Sequence, residues 1–133
     1  MINEQNTIDQ VLAMKTWAVV GLGNNPDRAA FGVAKLLQDK GHRIIPVYPR
    51  AEMVHGETGY KTLGEIPESI DVVDCFVNSS HVGKVVDEAI AIGAKAVWLQ
   101  LDVIDHEAIN RAQEAGLLTI MDRCPAIEYR KKN

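Results

Sequence analysis

The sequence predicts an α/β fold of the Rossmann-like, doubly wound kind, with a mostly parallel sheet of five to six strands in the order 3-2-1-4-5-6 along the chain. Three observations carry that expectation. Short apolar runs alternate with segments of helical periodicity, the pattern of a parallel sheet with crossover helices. Three of the helical segments stop at a glycine, Gly41, Gly93 and Gly116, the residue best suited to close a helix. The first apolar run, Trp17 to Val20, breaks into Gly21-Leu22-Gly23-Asn24-Asn25-Pro26 before a helical pattern follows. A strand, a turn rich in N–H donors and a helix N-terminus in succession make a good seat for phosphate.

The elements follow in order. Thr7 and Gln10 have the spacing of a capping box, and Ile8, Val11 and Leu12 give a short helix. After the Trp17 strand, Asp27 to Lys40 places Ala30, Val33, Ala34 and Leu37 on one face, widened by Leu36. His42 to Tyr48 is a strand in which Pro46, lacking a ladder donor, belongs near the end or at a bulge. Between Pro49 and Glu68 the pattern weakens, leaving room for a brief edge strand at Glu57 to Tyr60 and a helical turn near Thr62 to Glu65. Asp71 to Val77 is a continuous apolar strand, and Val82, Val85, Val86, Ala89 and Ile90 form a helical face that Ser79 and Ser80 are placed to cap. Ala96 to Leu101 is a strand, Asp105 to Ala115 a helix and Leu117 to Met121 the last strand; the tail from Tyr129 is expected to fray. Right-handed crossovers put the Trp17 strand between the His42 and Asp71 strands.

The 133 residues fit one domain spanning 1–133. Fourteen basic and eighteen acidic residues give a net charge of −4, which offers no broad footprint for a nucleic acid, so any anion must be met locally. Cys75 and Cys124 have no zinc-binding spacing. With no run long enough to span a bilayer and no signal-like start, a cytoplasmic location away from membranes is expected.

In such a sheet the ligand crevice opens where the strand order reverses, at the carboxyl ends of the Trp17 and Asp71 strands. That brings Gly21, Leu22, Gly23, Asn24 and Asn25 next to Val77, Asn78, Ser79 and Val82, with Tyr48, Pro49 and Arg50 on the flank. The turn is not a complete dinucleotide fingerprint, since Pro26 stands where the third glycine would and the next glycine is Gly32. An NAD site also places a carboxylate at the tip of the second strand. Arg50 there suits a phosphorylated ribose, as in NADP or coenzyme A, and Arg28 lies within reach of the pyrophosphate. Of the four histidines only His81 sits at a strand tip. Cys75 reads as buried; Cys124, beside Arg123, is open to exposure at the crevice edge, though a structural role is the stronger reading. Asp71, Asp74 and Asp102 make no acid pair, and Trp98 reads as core or interface.

Four stretches together, Val19 to Arg28, Ile45 to Arg50, Ala94 to Gln100 and Met121 to Pro125, resemble the CoA-binding domain family, small proteins similar to the nucleotide-binding domain of the succinyl-CoA synthetase alpha subunit. The resemblance covers nearly the whole chain and implies a Rossmann-like fold that binds coenzyme A. It assigns the family's glycine turn to Gly21, Leu22, Gly23 and Asn24, its following arginine to Arg28 and its strand-2 pair to Pro49 and Arg50. The turn often reads Gly-Ala-Ser in the family and Gly-Leu-Gly here, and Tyr48 replaces the usual asparagine. The domain that carries the synthetase's phosphorylated histidine is not in this sequence, so the resemblance does not imply ligase activity.

The expected function is therefore binding of coenzyme A or acyl-CoA without catalytic machinery of its own, with turn amides on the pyrophosphate and the adenine over Val77 to Val82. The alternatives are an NADP-dependent oxidoreductase, or a dimeric interaction module with a vestigial pocket in which Trp98 and Leu101 support a homo-oligomer. Mixed-disulfide chemistry between Cys124 and CoA is a minor further option.

Overall fold

The computed structural model describes residues 2–132. Its elements in chain order are α1 (Gln5–Leu12), β1 (Thr16–Val20), α2 (Ala29–Asp39), β2 (Arg43–Val47), a 3-10 turn (Leu63–Glu65), β3 (Val72–Cys75), α3 (Ser79–Ala91), β4 (Ala96–Leu99), α4 (His106–Glu114), β5 (Leu118–Ile120) and α5 (Pro125–Lys131). The five strands form one parallel sheet in the order β2-β1-β3-β4-β5. Order reverses between β1 and β3, as the crossover argument requires.

Alternation along the strands divides the core into two layers. Ala18, Ile45, Val73, Val97 and Leu99 pack with α3 and α4 on one face. Trp17, Val19, Ile44, Val72, Trp98 and Ile120 pack with α1, α2 and α5 on the other. Trp98 is fully buried and donates its indole N–H to the Arg123 carbonyl. It therefore belongs to the core and supports no dimer.

The brief edge strand expected at Glu57 to Tyr60 reduces to a single parallel bridge between Val47 and Tyr60. Tyr60 N–H donates to the Pro46 carbonyl, and Tyr48 N–H donates to the Tyr60 carbonyl. The two backbone polar groups of a strand residue point to the same side, so the ring nitrogen of Pro46 faces this outer edge, where no donor can extend the ladder. Val54 and Glu57 meanwhile exchange their backbone bonds with each other. Pro46 itself is the fourth of the five β2 residues, close to the strand end.

Two chain-end expectations need correction. Thr7 lies inside α1, whose N-cap is Glu4, so the Thr7–Gln10 capping box does not form. The tail does not fray from Tyr129: Pro125 opens α5, Ala126 is buried, and the Tyr129 hydroxyl donates to the Leu12 carbonyl. His42 is buried beneath it. One ring nitrogen meets the Met14 carbonyl at 2.7 Å, the other the Tyr129 hydroxyl, and burial holds its pKa down despite the Met14 contact. At the far edge, the Asn3 side chain pairs with both backbone groups of Met121, continuing the sheet in place of another strand.

Candidate functional site

Gly21 sets the geometry at the strand-order reversal. Its N–H donates to Val47 O, one residue beyond β1, and its φ of +98° turns the chain away from the sheet. A Cβ at this position would stand 2.2 Å from the Phe76 carbonyl oxygen, so only glycine lets the β1 and β3 exits run this close. Leu22 then points down into the core beside α2 and is fully buried.

A cleft of about 590 Å3 opens over this point, a volume within the range of small-ligand sites. Its walls include Gly21, Arg28, Tyr48, Pro49, Val77 and Asn78. A second cleft of about 230 Å3 shares Gly21, Arg28 and Tyr48 and adds Gly23, Asn24, Asn25, Arg50 and Glu52. Ten of the thirteen sequence-predicted site residues therefore line the two clefts. The other three do not. Leu22 and Val82 are spent on the core, one on each face of the sheet, and Ser79 holds a loop, donating to the Asp102 carbonyl while its oxygen accepts from Ile104 N–H.

Two helices aim their first turns at the larger cleft. Arg28 is the N-cap of α2 and Asn78 that of α3, and neither helix has a side chain capping its first-turn amides. Ser79 and Ser80 thus do not act as the expected caps. Ala29 and Ala30 at one helix start, and Asn78 and His81 at the other, line the cleft. Uncapped N–H groups and two positive dipole ends make this a favourable place for an anion. Arg28 is exposed beside it.

The turn's own amides are less available than the sequence suggested. Gly21 N–H is taken by Val47, Asp27 N–H by the Asn25 side chain at 3.0 Å, and Asn24 N–H by the Glu52 carboxylate at 2.8 Å. Glu52 is a site residue that sequence reasoning missed, and so is Lys61, which lines the larger cleft. Both lie in the 49–68 segment, which is placed by long-range contacts such as the Val47–Tyr60 bridge, the close approach of Gly59 to the Glu52 backbone and the His55 ring on the Phe31 carbonyl. None of these contacts has a periodic signal. His81 does reach the cleft, with Gln100, Leu101 and Val103 on the side of β4.

Cys124 is buried at the N-cap of α5 and lines neither cleft, so the thiol is not displayed at the crevice edge. Cys75 is buried, as read, and burial pushes its thiol pKa up. Among the described residues no group of His, Cys, Asp and Glu could hold a metal ion, and no helix is long and apolar enough to cross a membrane.

A parallel sheet that reverses its order beneath an anion-favouring cleft defines a Rossmann-like α/β protein. The chain belongs to the CoA binding domain family, whose model matches residues 15–130. It is 37% identical over 115 residues to the protein YneT of Bacillus subtilis, covering 86% of this chain and 85% of that one. The acetate–CoA ligase (ADP-forming) II alpha subunit of Pyrococcus furiosus is 33% identical over 81 residues, which are 60% of this chain and 18% of the ligase subunit. A hypothetical protein from Pyrococcus horikoshii has the same fold, with a TM-score of 0.91 at 36% identity, 96% of this chain and 91% of that one being covered.

Proposed function

We propose that this protein binds coenzyme A or an acyl-CoA in the cleft above β1 and β3, and that it does so as one binding domain without catalytic machinery of its own. The observation that carries the reading is the convergence of two uncapped helix starts, those of α2 and α3, on a cleft flanked by Arg28. The diphosphate lies against the first turn of α2, where helix amides and the Arg28 guanidinium supply charge-assisted donors. The adenine lies against Val77 and Asn78 at the β3 exit. Arg50, at the neighbouring cleft, meets the phosphate on the ribose; its side chain is mostly exposed, within 5.8 Å of the Tyr48 ring and 3.9 Å of Glu52. Family membership and the related ligase subunit support CoA as the nucleotide.

Calorimetric titration tests the reading. CoA should bind with measurable heat, and heat equal to dilution at millimolar CoA would refute it. Arg50→Ala should weaken CoA about tenfold while leaving dephospho-CoA little changed. Equal losses for the two ligands would remove Arg50 from the ribose phosphate.

A further inference from the structure

We propose that Glu52 is an in-chain occupant of the glycine turn, a carboxylate that a ligand's phosphate must displace. The proposal rests on the CoA-binding reading and adds a control to that site. Asn24 and Glu52 both line the smaller cleft, and the Asn24 N–H donates to Glu52 Oε1 at 2.8 Å. The fit is close: a Cβ on Gly23 would stand 2.9 Å from the same oxygen and 3.1 Å from the Tyr48 ring. The second carboxylate oxygen lies 3.9 Å from Arg50 Nε. Glu52 thus sits where an anion would sit, on a turn amide and beside a cation of the site.

Its consequence is electrostatic as well as steric. A phosphate arriving between Arg28 and Arg50 meets a fixed negative charge, and two anions cannot share one N–H donor. The strap has a second bond that does not involve the carboxylate, from Asn24 Nδ2 to the Met53 carbonyl at 2.6 Å. Glu52 can therefore rotate out while the 50–54 segment stays tied to the turn. The side chain is 30% exposed, which gives it a path into solvent. Ligand entry and release of Glu52 become one exchange, and the unliganded turn is held by its own chain.

The experiment compares wild type, Glu52→Gln and Glu52→Ala by calorimetry with CoA and with inorganic pyrophosphate, following the Asn24 amide by NMR. Removing the carboxylate should tighten both ligands about tenfold, the scale of one partly exposed charge-assisted hydrogen bond. Glu52→Gln, which keeps an acceptor without the charge, should fall between wild type and Glu52→Ala and guards against a segment disordered by the alanine. The Asn24 amide resonance should move in Glu52→Ala and move again on adding pyrophosphate. CoA binding only after the carboxylate is removed would overturn the exchange, because wild type would then take up no ligand for Glu52 to trade with. If wild type and both variants bind CoA equally, or the variants bind it more weakly, the displacement idea falls and the CoA reading stands. If none of the three proteins binds CoA or pyrophosphate, both fall.

Discussion

Asp74 is the residue whose setting is hardest to reconcile with stability alone. It lies in the middle of β3, in register with Val19 on one side and Trp98 on the other, fully buried, and neither carboxylate oxygen has a hydrogen-bond partner. Burial pushes its pKa well above the ordinary carboxylate range. The sign of the effect follows from proton counts. Above the ordinary aspartate value of 3.8 the unfolded chain releases the proton while the native state retains it. Native stability therefore falls as pH rises above that value. Asp74→Asn removes the ionisation at nearly constant shape and should stabilise the protein at pH 7.5 by about 1–3 kcal/mol. The gain should shrink on approaching pH 4. Urea denaturation at both pH values checks this, and a loss of stability at pH 7.5 would show that the carboxyl has a native partner. Residue-scale detail of this kind was only partly legible in the sequence. Gly21, Arg28, Tyr48 and Asn78 could be placed because each follows directly from a strand end or helix start. Glu52 could not, because its position is set by long-range contacts such as those of Tyr60 and Gly59, which have no local signature. Leu22 lines neither cleft because its apolar side chain goes to the core, which its place in a polar glycine turn does not signal.

At the scale of elements, two glycines near the site make opposite demands. Gly21 has a left-handed backbone and its missing Cβ is all that separates it from the Phe76 carbonyl. Gly32 is inside α2, exposed, with nothing within 4 Å of where a Cβ would stand. Gly21→Ala should cost about 2–4 kcal/mol, because the strain is both conformational and steric. Gly32→Ala should add roughly 0.5–1 kcal/mol by reducing the freedom of the unfolded chain and favouring the helix. Chemical denaturation of the pair distinguishes a turn that requires glycine from a helix that only tolerates it; equal effects would contradict the geometry. The regular elements were legible because apolar spacing repeats at 3.6 or 2 residues wherever one face is buried. The α2 stripe of Ala30, Val33, Ala34 and Leu37 is buried as read. Elements held in place by long-range contacts were not. Helix α5 is anchored by the Tyr129 hydroxyl on Leu12, 117 residues away in sequence, and so its seven residues looked like a loose end.

For the whole molecule, the decisive fact is that the cleft belongs to both layers of the core. Helix α2 packs on the Trp17 face of the sheet and α3 on the opposite face, yet both present their first turns to the same opening. A ligand held by the two helix starts ties the layers together across the carboxyl ends of the central strands, so its binding energy counts against global unfolding and not just against movement of a loop. With free CoA at about 100 times its dissociation constant, linkage gives about 2.7 kcal/mol of added stability. For a chain of 133 residues this corresponds to a rise in thermal midpoint of roughly 8–13 °C. Adenosine, which lacks the phosphates, should give a much smaller rise at equal concentration. Arg28→Ala should leave the unliganded midpoint within a few degrees of wild type, since the side chain is exposed, while reducing the CoA-induced rise at fixed ligand. The net charge of −4 sharpens the expectation: attraction of a polyanionic nucleotide must come from the local cations and helix ends, so added salt should diminish the rise through screening. A midpoint unmoved by millimolar CoA, or moved equally by CoA and adenosine, would show that phosphate recognition at the helix starts does not stabilise this fold.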